Sequence, residues 1–198
     1  MSADLILASG SQSRRRILQA CGIDAELITP HLDEETAKES MRMNGLPIKE
    51  QAMKLAELKA IKVSARQPGM VIGGDQMLAL GDKAFDKPKD LGEARGHLEQ
   101  LSGKAHTLET AIVIAQGGQI IWRHLARPKL TMRTLSPEFI NQYIEAVGED
   151  ILTTVGGYKL EGLGSQLFER IEGDYFSILG LPLLPLQDYL RTRGALPL

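Results

Sequence analysis

Apolar residues follow two spacings along this chain, and the switches between them mark the elements. Leu5-Ile6-Leu7-Ala8 is a short continuous run that predicts a buried strand, and Ile17-Leu18 with Ala20-Cys21 predict the inner face of a following helix. Ala25 to Thr29 predicts a second short strand leading into the acidic stretch HLDEE. From Pro47 to Ala65, the positions Ile48, Ala52, Leu55, Leu58 and Ile61 fall at helical spacing, with lysines and glutamates between them. MVIGGDQMLAL then predicts a strand interrupted by two glycines. Another helix begins near Asp90, whose spacing to Glu93 resembles a capping box.

The second half continues in the same way. His106 to Leu135 predicts one long hairpin turning at Gly117-Gly118, between AIVIA and IIW. Ser136-Pro137 offers an N-cap and first-turn proline for a helix that Gly148 ends. A glycine-rich run follows, and LPLLPLQDYLRTRG predicts the closing helix. Strands and helices alternate with at least one hairpin, which predicts an α/β fold with a mixed sheet. No repeat, low-complexity block or linker divides the 198 residues, so a single domain spanning 1–198 is expected, with room for two lobes.

Composition narrows the functional classes. The 23 Lys and Arg against 25 Asp and Glu give no general electrostatic case for nucleic acid or membrane as a partner. No run approaches the ~20 apolar residues of a membrane span. Asp4 precedes the first apolar run without a cleavage-like site, which does not read as a signal peptide. Cys21 is the single cysteine, so a multi-cysteine metal site is excluded and a cytoplasmic location is the expectation.

Four stretches carry candidate chemistry. SGSQSRRR places a small-residue turn and arginines at a helix start, where cations oppose the helix dipole unless an anion binds; it equally describes a solvated helix end. VIGGDQ ends an apolar run in Asp75, placed for a basic or metal-binding carboxylate or for a turn. FDKPKD holds Lys87 in the extended backbone before a proline, either a phosphate contact or an ordinary surface turn. The glycine-rich run with Tyr158, Glu161 and Phe168 reads as a pocket wall or as short strands and turns. No GxxxxGK[ST] and no GxSxG occurs, and the four histidines lack paired spacing, so a Walker nucleotidase, a serine hydrolase and a zinc site are poor readings.

Taken in order, LASGSQSRRRIL, LDEE, LAELKA, IGGDQ, DKPKD with EARGHLEQLSGKAH, and EGLGSQLFERIEGDYFSILGLPL resemble the Maf, or septum-formation-inhibitor, family over essentially the whole chain. The resemblance implies an elongated Maf-like (ITPase-like) α/β fold, with a mixed central sheet and two lobes flanking a cleft, often as a homodimer. It implies hydrolysis of a nucleoside triphosphate to the monophosphate and pyrophosphate with a divalent cation, Mg²⁺ or Mn²⁺.

Position by position, the resemblance makes Asp75 the general base, gives Ser9, Arg14, Lys59 and Lys87 to the substrate, and gives Glu34 and Asp75 to the metal. Gln76 and Glu161 match the positions that choose the base, and their identities look like those of the branch acting on 7-methyl-GTP. A carboxylate at 161 accepts from both guanine N1–H and the 2-amino group, and it favours the cationic 7-methylguanine ring. Ser13, behind Gln12, departs from the usual proline followed by a basic or aromatic residue. The alternatives are a dTTP/UTP pyrophosphatase and a non-catalytic nucleotide-binding regulator of septum formation.

Overall fold

The structure, a computed structural model, describes residues 5–197; Asp4 lies outside them. The elements in chain order are β1 (Leu5–Ala8), α1 (Gln12–Ala20), β2 (Glu26–Leu27), α2 (Glu34–Met43), α3 (Ile48–Ser64), β3 (Met70–Leu80) and β4 (Lys83–Phe85). There follow α4 (Leu91–Leu101), β5 (Ala105–Gln116), β6 (Gln119–Ala126), β7 (Lys129–Met132), α5 (Pro137–Val147), β8 (Phe168–Glu172), α6 (Tyr175–Ile178) and α7 (Leu183–Thr192). Among the described residues the strands form one mixed sheet in the order β2-β1-β3-β5-β7-β8, with β4 beside β3 and β6 beside β5. β1 runs parallel to β2 and β3, whereas β4, β6, β7 and β8 join by antiparallel pairing. The expected mixed α/β sheet is the fold.

The chain forms two compact units. One comprises the residues up to Gln76, Thr110–Ala126 and those from Tyr175 onward; the other comprises Met77–Glu109 and Arg127–Asp174. In the first, Leu5, Leu7, Ile72, Ile112 and Ile114 of the strands meet Ile17, Leu18, Leu186 and Leu190 of α1 and α7 in one buried cluster. Each such aliphatic side chain contributes roughly 1.5–3 kcal/mol by leaving water. In the second, Leu98 and Leu101 of α4, Ile140 and Ile144 of α5, and Leu130 and Met132 of β7 are all buried, and α4 packs on α5.

Several boundaries follow from local chemistry. Ser136 accepts from Phe139 N at 3.2 Å, Pro137 opens α5, and Gly148 ends it at φ 62°. Asp90 Oδ1 caps Glu93 N at 2.8 Å, while the Glu93 carboxylate returns to Lys89 N, also at 2.8 Å. Three expectations about strands are corrected, and one helix has no counterpart among the elements the sequence predicts. The predicted long hairpin is β5 with β6 only; Arg127-Pro128 breaks its second arm, and β7 pairs with the other end of β5 at Ala105–Thr107. The strand expected over Ala25–Thr29 shrinks to Glu26–Leu27. The acidic stretch after Asp33 is a helix, held by an Asp33 cap on Thr36 rather than by an apolar stripe, since none of its residues is buried. The two glycines do not interrupt β3, which continues through them for 11 residues.

Those glycines are there because something lies against them. A Cβ on Gly73 would stand 2.4 Å from the Ala56 carbonyl oxygen and 2.7 Å from Ala60 Cβ. Ala52, Ala56 and Ala60 are all fully buried, so α3 presses its backbone onto β3 along a seam of small residues. The buried face of α3 is therefore Ala52, Leu55, Ala56, Lys59, Ala60 and Val63. Leu58 and Ile61, expected inside, are only half-buried.

Candidate active site

The seam between α3 and β3 decides where two charged side chains go. Lys59 lies on the buried stripe of its helix, one turn beyond Leu55, and Asp75 follows Gly73-Gly74 on the facing strand. Lys59 Nζ donates to Asp75 Oδ1 at 2.7 Å and lies 3.0 Å from Glu34 Oε2. One ammonium thus joins carboxylates from β3 and from the first turn of α2. Only Glu34 is well exposed: its side chain is 41% accessible, against 8% for Lys59 and 9% for Asp75.

Arg14 meets the same strand from α1. It is on the buried face with Ile17 and Leu18, while Arg15 and Arg16 are exposed. Its Nε donates to the Gly180 carbonyl at 2.7 Å and its Nη1 to Ser9 Oγ at 3.1 Å. Gly74 has no side chain because Arg14 occupies the space: a Cβ there would lie 2.9 Å from Arg14 Nε. Ser9 Oγ also accepts from Ser11 N at 3.1 Å, which ties the turn after β1 to the arginine.

Burial and charge oppose each other here. Burial pushes the Asp75 carboxyl above the usual carboxylate range, with Lys59 and Arg14 pulling it back and Glu34 pushing it further up. Burial draws the Arg14 guanidinium below its ordinary value, and Asp75 and Glu34 restore part of that loss. The result is a lysine holding two carboxylates, with a second buried cation, Arg14, acting on them through its charge.

Ser9, Arg14, Glu34, Lys59, Asp75 and Gln76 all belong to the first unit. The structure brings Glu34, Lys59 and Asp75 into contact, and Ser9 into contact with Arg14. Ser13 is half-buried on α1, beside Arg14 in sequence. Gln76 has its amide nitrogen 2.8 Å from Thr110 Oγ1, 3.0 Å from Ser177 O and 3.1 Å from Ile178 O, so its donors are committed inside the protein. Lys87 and Glu161 are exposed residues of the second unit. Tyr158, which the sequence offers as pocket wall or as part of short strands and turns, is buried, and Phe168 is half-buried at the start of β8. The Tyr158 hydroxyl is 2.8 Å from His106 Nε2, and its ring meets Phe168 edge-on at 4.8 Å.

The chemistry of the donor set fits a hard divalent cation. Two carboxylates converge on a single point, the Lys59 ammonium, and oxygen ligands suit Mg²⁺ or Mn²⁺. No group of three or more His, Cys, Asp or Glu that could hold a metal occurs among the described residues, so further ligands would be phosphate oxygens and water. Sequence reasoning overlooked Thr110, Ser177 and Gly180. Thr110 carried a usable signal, being the one polar residue heading the apolar run TAIVIA and completely buried. No helix among the described residues is long and apolar enough to cross a membrane.

Comparison with known proteins adds a lineage to this geometry. Residues 4–193 match a family model described as Maf-like protein. A relative from Hyphomonas neptunium (strain ATCC 15444), named nucleoside triphosphate pyrophosphatase, is 65% identical over 197 residues and covers 100% of both chains. One from Granulibacter bethesdensis (strain ATCC BAA-1260 / CGDNIH1), with the same name, is 51% identical over 97% of this chain and 98% of its own. A protein of Mesorhizobium japonicum (strain LMG 29417 / CECT 9101 / MAFF 303099), named 7-methyl-GTP pyrophosphatase, is 47% identical over 99% of each.

Proposed function

Since the chain belongs to the Maf family, we propose that it is a nucleoside triphosphate pyrophosphatase whose reacting groups are the Asp75–Lys59–Glu34 cluster and Arg14. The observation that carries this reading is the buried lysine holding two carboxylates together beside a buried arginine. A triphosphate needs concentrated positive charge, and a water attacking its α-phosphorus needs an acceptor for a proton. Arg14, held on Ser9, presents a planar fork to phosphate oxygens, and Lys59 supplies a compact charge. Asp75 takes the proton from water, because burial makes its carboxylate more basic than a solvated one. Glu34 and Asp75 would hold the divalent cation, which neutralises charge on the phosphate oxygens when bound. Lys87 is assigned to phosphate by the family resemblance.

Within that reading the substrate is 7-methyl-GTP. Relatives at 47% identity carry that name, and Glu161 offers a carboxylate for the guanine N1–H and 2-amino group and for the positive ring. Ser13 adds no aromatic surface for the base. The test is a panel of 7-methyl-GTP, GTP, dTTP, UTP and CTP with Mg²⁺ or Mn²⁺. Monophosphate and pyrophosphate in equal amounts, fastest from 7-methyl-GTP, support both levels of the reading. A preference for dTTP or UTP would overturn the substrate alone, and binding without turnover of any nucleotide would overturn the enzyme.

A further inference from the structure

The side chain after Asp75 is built into the protein rather than offered to a ligand. Gln76 directs its amide nitrogen at Thr110 Oγ1, Ser177 O and Ile178 O, at 2.8, 3.0 and 3.1 Å. Two of those atoms are carbonyl oxygens, which can only accept, so the orientation of the amide is fixed by its surroundings. The Thr110 hydroxyl accepts from Gln76 and donates in turn to Ser177 O at 3.0 Å. Gly180 N reaches the same carbonyl at 3.1 Å. Side chains of β3 and β5 thereby pin the end of α6 and the turn that leaves it.

That turn ends at the arginine. Gly180 has φ +101°, a conformation that side-chain-bearing residues rarely adopt, and its carbonyl accepts from Arg14 Nε at 2.7 Å. A Cβ on Gly180 would lie 3.7 Å from Arg14 Nη2 and 3.9 Å from Gln76 Oε1, so both side chains border one small space. Arg14 also donates from Nη1 to Ser9 Oγ, and its guanidinium lies over Gly74, where a Cβ would stand 2.9 Å from Nε.

The geometry points to Gln76 and Thr110 as positioning residues for Arg14, acting through the 177–180 turn. Removing their hydrogen bonds frees the Gly180 carbonyl to move, and the Arg14 fork loses its aim. This role differs from base selection, which the family resemblance suggests for position 76. It also predicts that any nucleotide suffers alike, because the phosphates are common to all of them. The inference rests on the proposed function only where it speaks of phosphate; the structural link to Arg14 stands without it.

The test uses the full chain and Gln76→Met, which keeps the volume and removes the donors, with Thr110→Val as a second variant that leaves Gln76 in place. The Arg14 Nε–H resonance, assigned by its loss in Arg14→Lys, is followed by ¹⁵N NMR. The expected result is slow solvent exchange in the parent protein and exchange faster by about tenfold in Gln76→Met, with a smaller change in Thr110→Val. In parallel, KM rises by a similar factor for every nucleotide of the panel, about tenfold, while the ratios between bases stay constant. An unmoved Arg14 resonance in a folded Gln76→Met protein overturns the proposal whatever the kinetics. Altered base ratios with Arg14 unmoved return position 76 to base reading. If Gln76→Met does not fold, Thr110→Val decides by the same resonance. Absence of turnover would count against the proposed function, and the NMR result would still decide this one.

Discussion

Each unit buries polar groups, and it does so for different ends. In the first, Asp75, Lys59 and Arg14 are buried as ions: Lys59 pairs with Asp75 and with the more exposed Glu34, and Arg14 acts on Asp75 through its charge. In the second, His106 and Tyr158 are buried as neutral groups, bonded to each other and packed on Phe168. Burial holds the His106 imidazole down to about 4 and pushes the Tyr158 hydroxyl far above its ordinary range. The second arrangement settles its protons and keeps them. Buried ions are costly to hold, and a unit that keeps three of them beside a water-exposed carboxylate has a use for charge.

The largest effect is expected at Asp75. Asp75→Asn keeps the shape and a hydrogen-bond acceptor for Lys59, which also retains Glu34 at 3.0 Å. The expected outcome is a fall in kcat/KM by about 10²–10⁴-fold, the usual worth of a positioned acid or base, with a melting temperature close to the parent's. A steady-state assay beside a thermal melt checks both. An active Asp75→Asn protein would remove Asp75 from the proton-accepting role.

The neutral cluster makes the next largest prediction, in stability rather than rate. Folding lowers the His106 value from 6.5 to about 4, so the unfolded chain takes up this proton first as pH falls. Its contribution is whole above pH ~6.5 and is lost progressively toward pH ~4, amounting to about 3 kcal/mol. Urea midpoints across that window should fall for the parent and fall less for His106→Gln. Equal slopes in the two proteins would show that His106 titrates freely.

These two clusters also show how far the sequence could be read. Arg14 and Lys59 each sit where an apolar residue belongs on the inner stripe of a helix, Arg14 with Ile17-Leu18 and Lys59 one turn after Leu55. A cation on such a stripe is the local sign that it is held by something buried. On α3, Ala52 and Leu55 lie on the buried face as their spacing predicts, but Ala56 and Ala60 rather than the larger Leu58 and Ile61 face the strand. The physical reason is the close approach at Gly73, which leaves room only for small residues. The α2 helix left no apolar pattern, since its start depends on the Asp33 cap. The long hairpin concealed its break because Arg127-Pro128 is flanked by strand-like residues on both sides. Order along the chain made the family legible; the bond from Gln76 to the 177–180 turn spans about a hundred residues and left no local trace.

Gly73→Ala probes that close approach directly. The added methyl meets backbone at 2.4 Å, so α3 must shift, and Lys59 with it. The expected cost is about 1–3 kcal/mol of stability. The expected kcat falls even at temperatures where the variant is fully folded, which separates displacement of Lys59 from unfolding. A variant as stable and as active as the parent would mean the seam does not position the lysine.

The smallest effect concerns the base. Glu161→Gln should lower the preference for 7-methyl-GTP over UTP by about tenfold, the loss of a hydrogen bond to a charged group. An unchanged ratio would show that Glu161 does not read the base.

The most direct test of the central claim is hydrolysis in ¹⁸O-labelled water with the products resolved by mass. Attack of water at the α-phosphorus, with Asp75 taking its proton, predicts one labelled oxygen in the nucleoside monophosphate and none in pyrophosphate. It also predicts that Asp75→Asn forms this labelled monophosphate about 10²–10⁴-fold more slowly. Label in pyrophosphate or inorganic phosphate, or labelled monophosphate formed at the parent rate by Asp75→Asn, would contradict it.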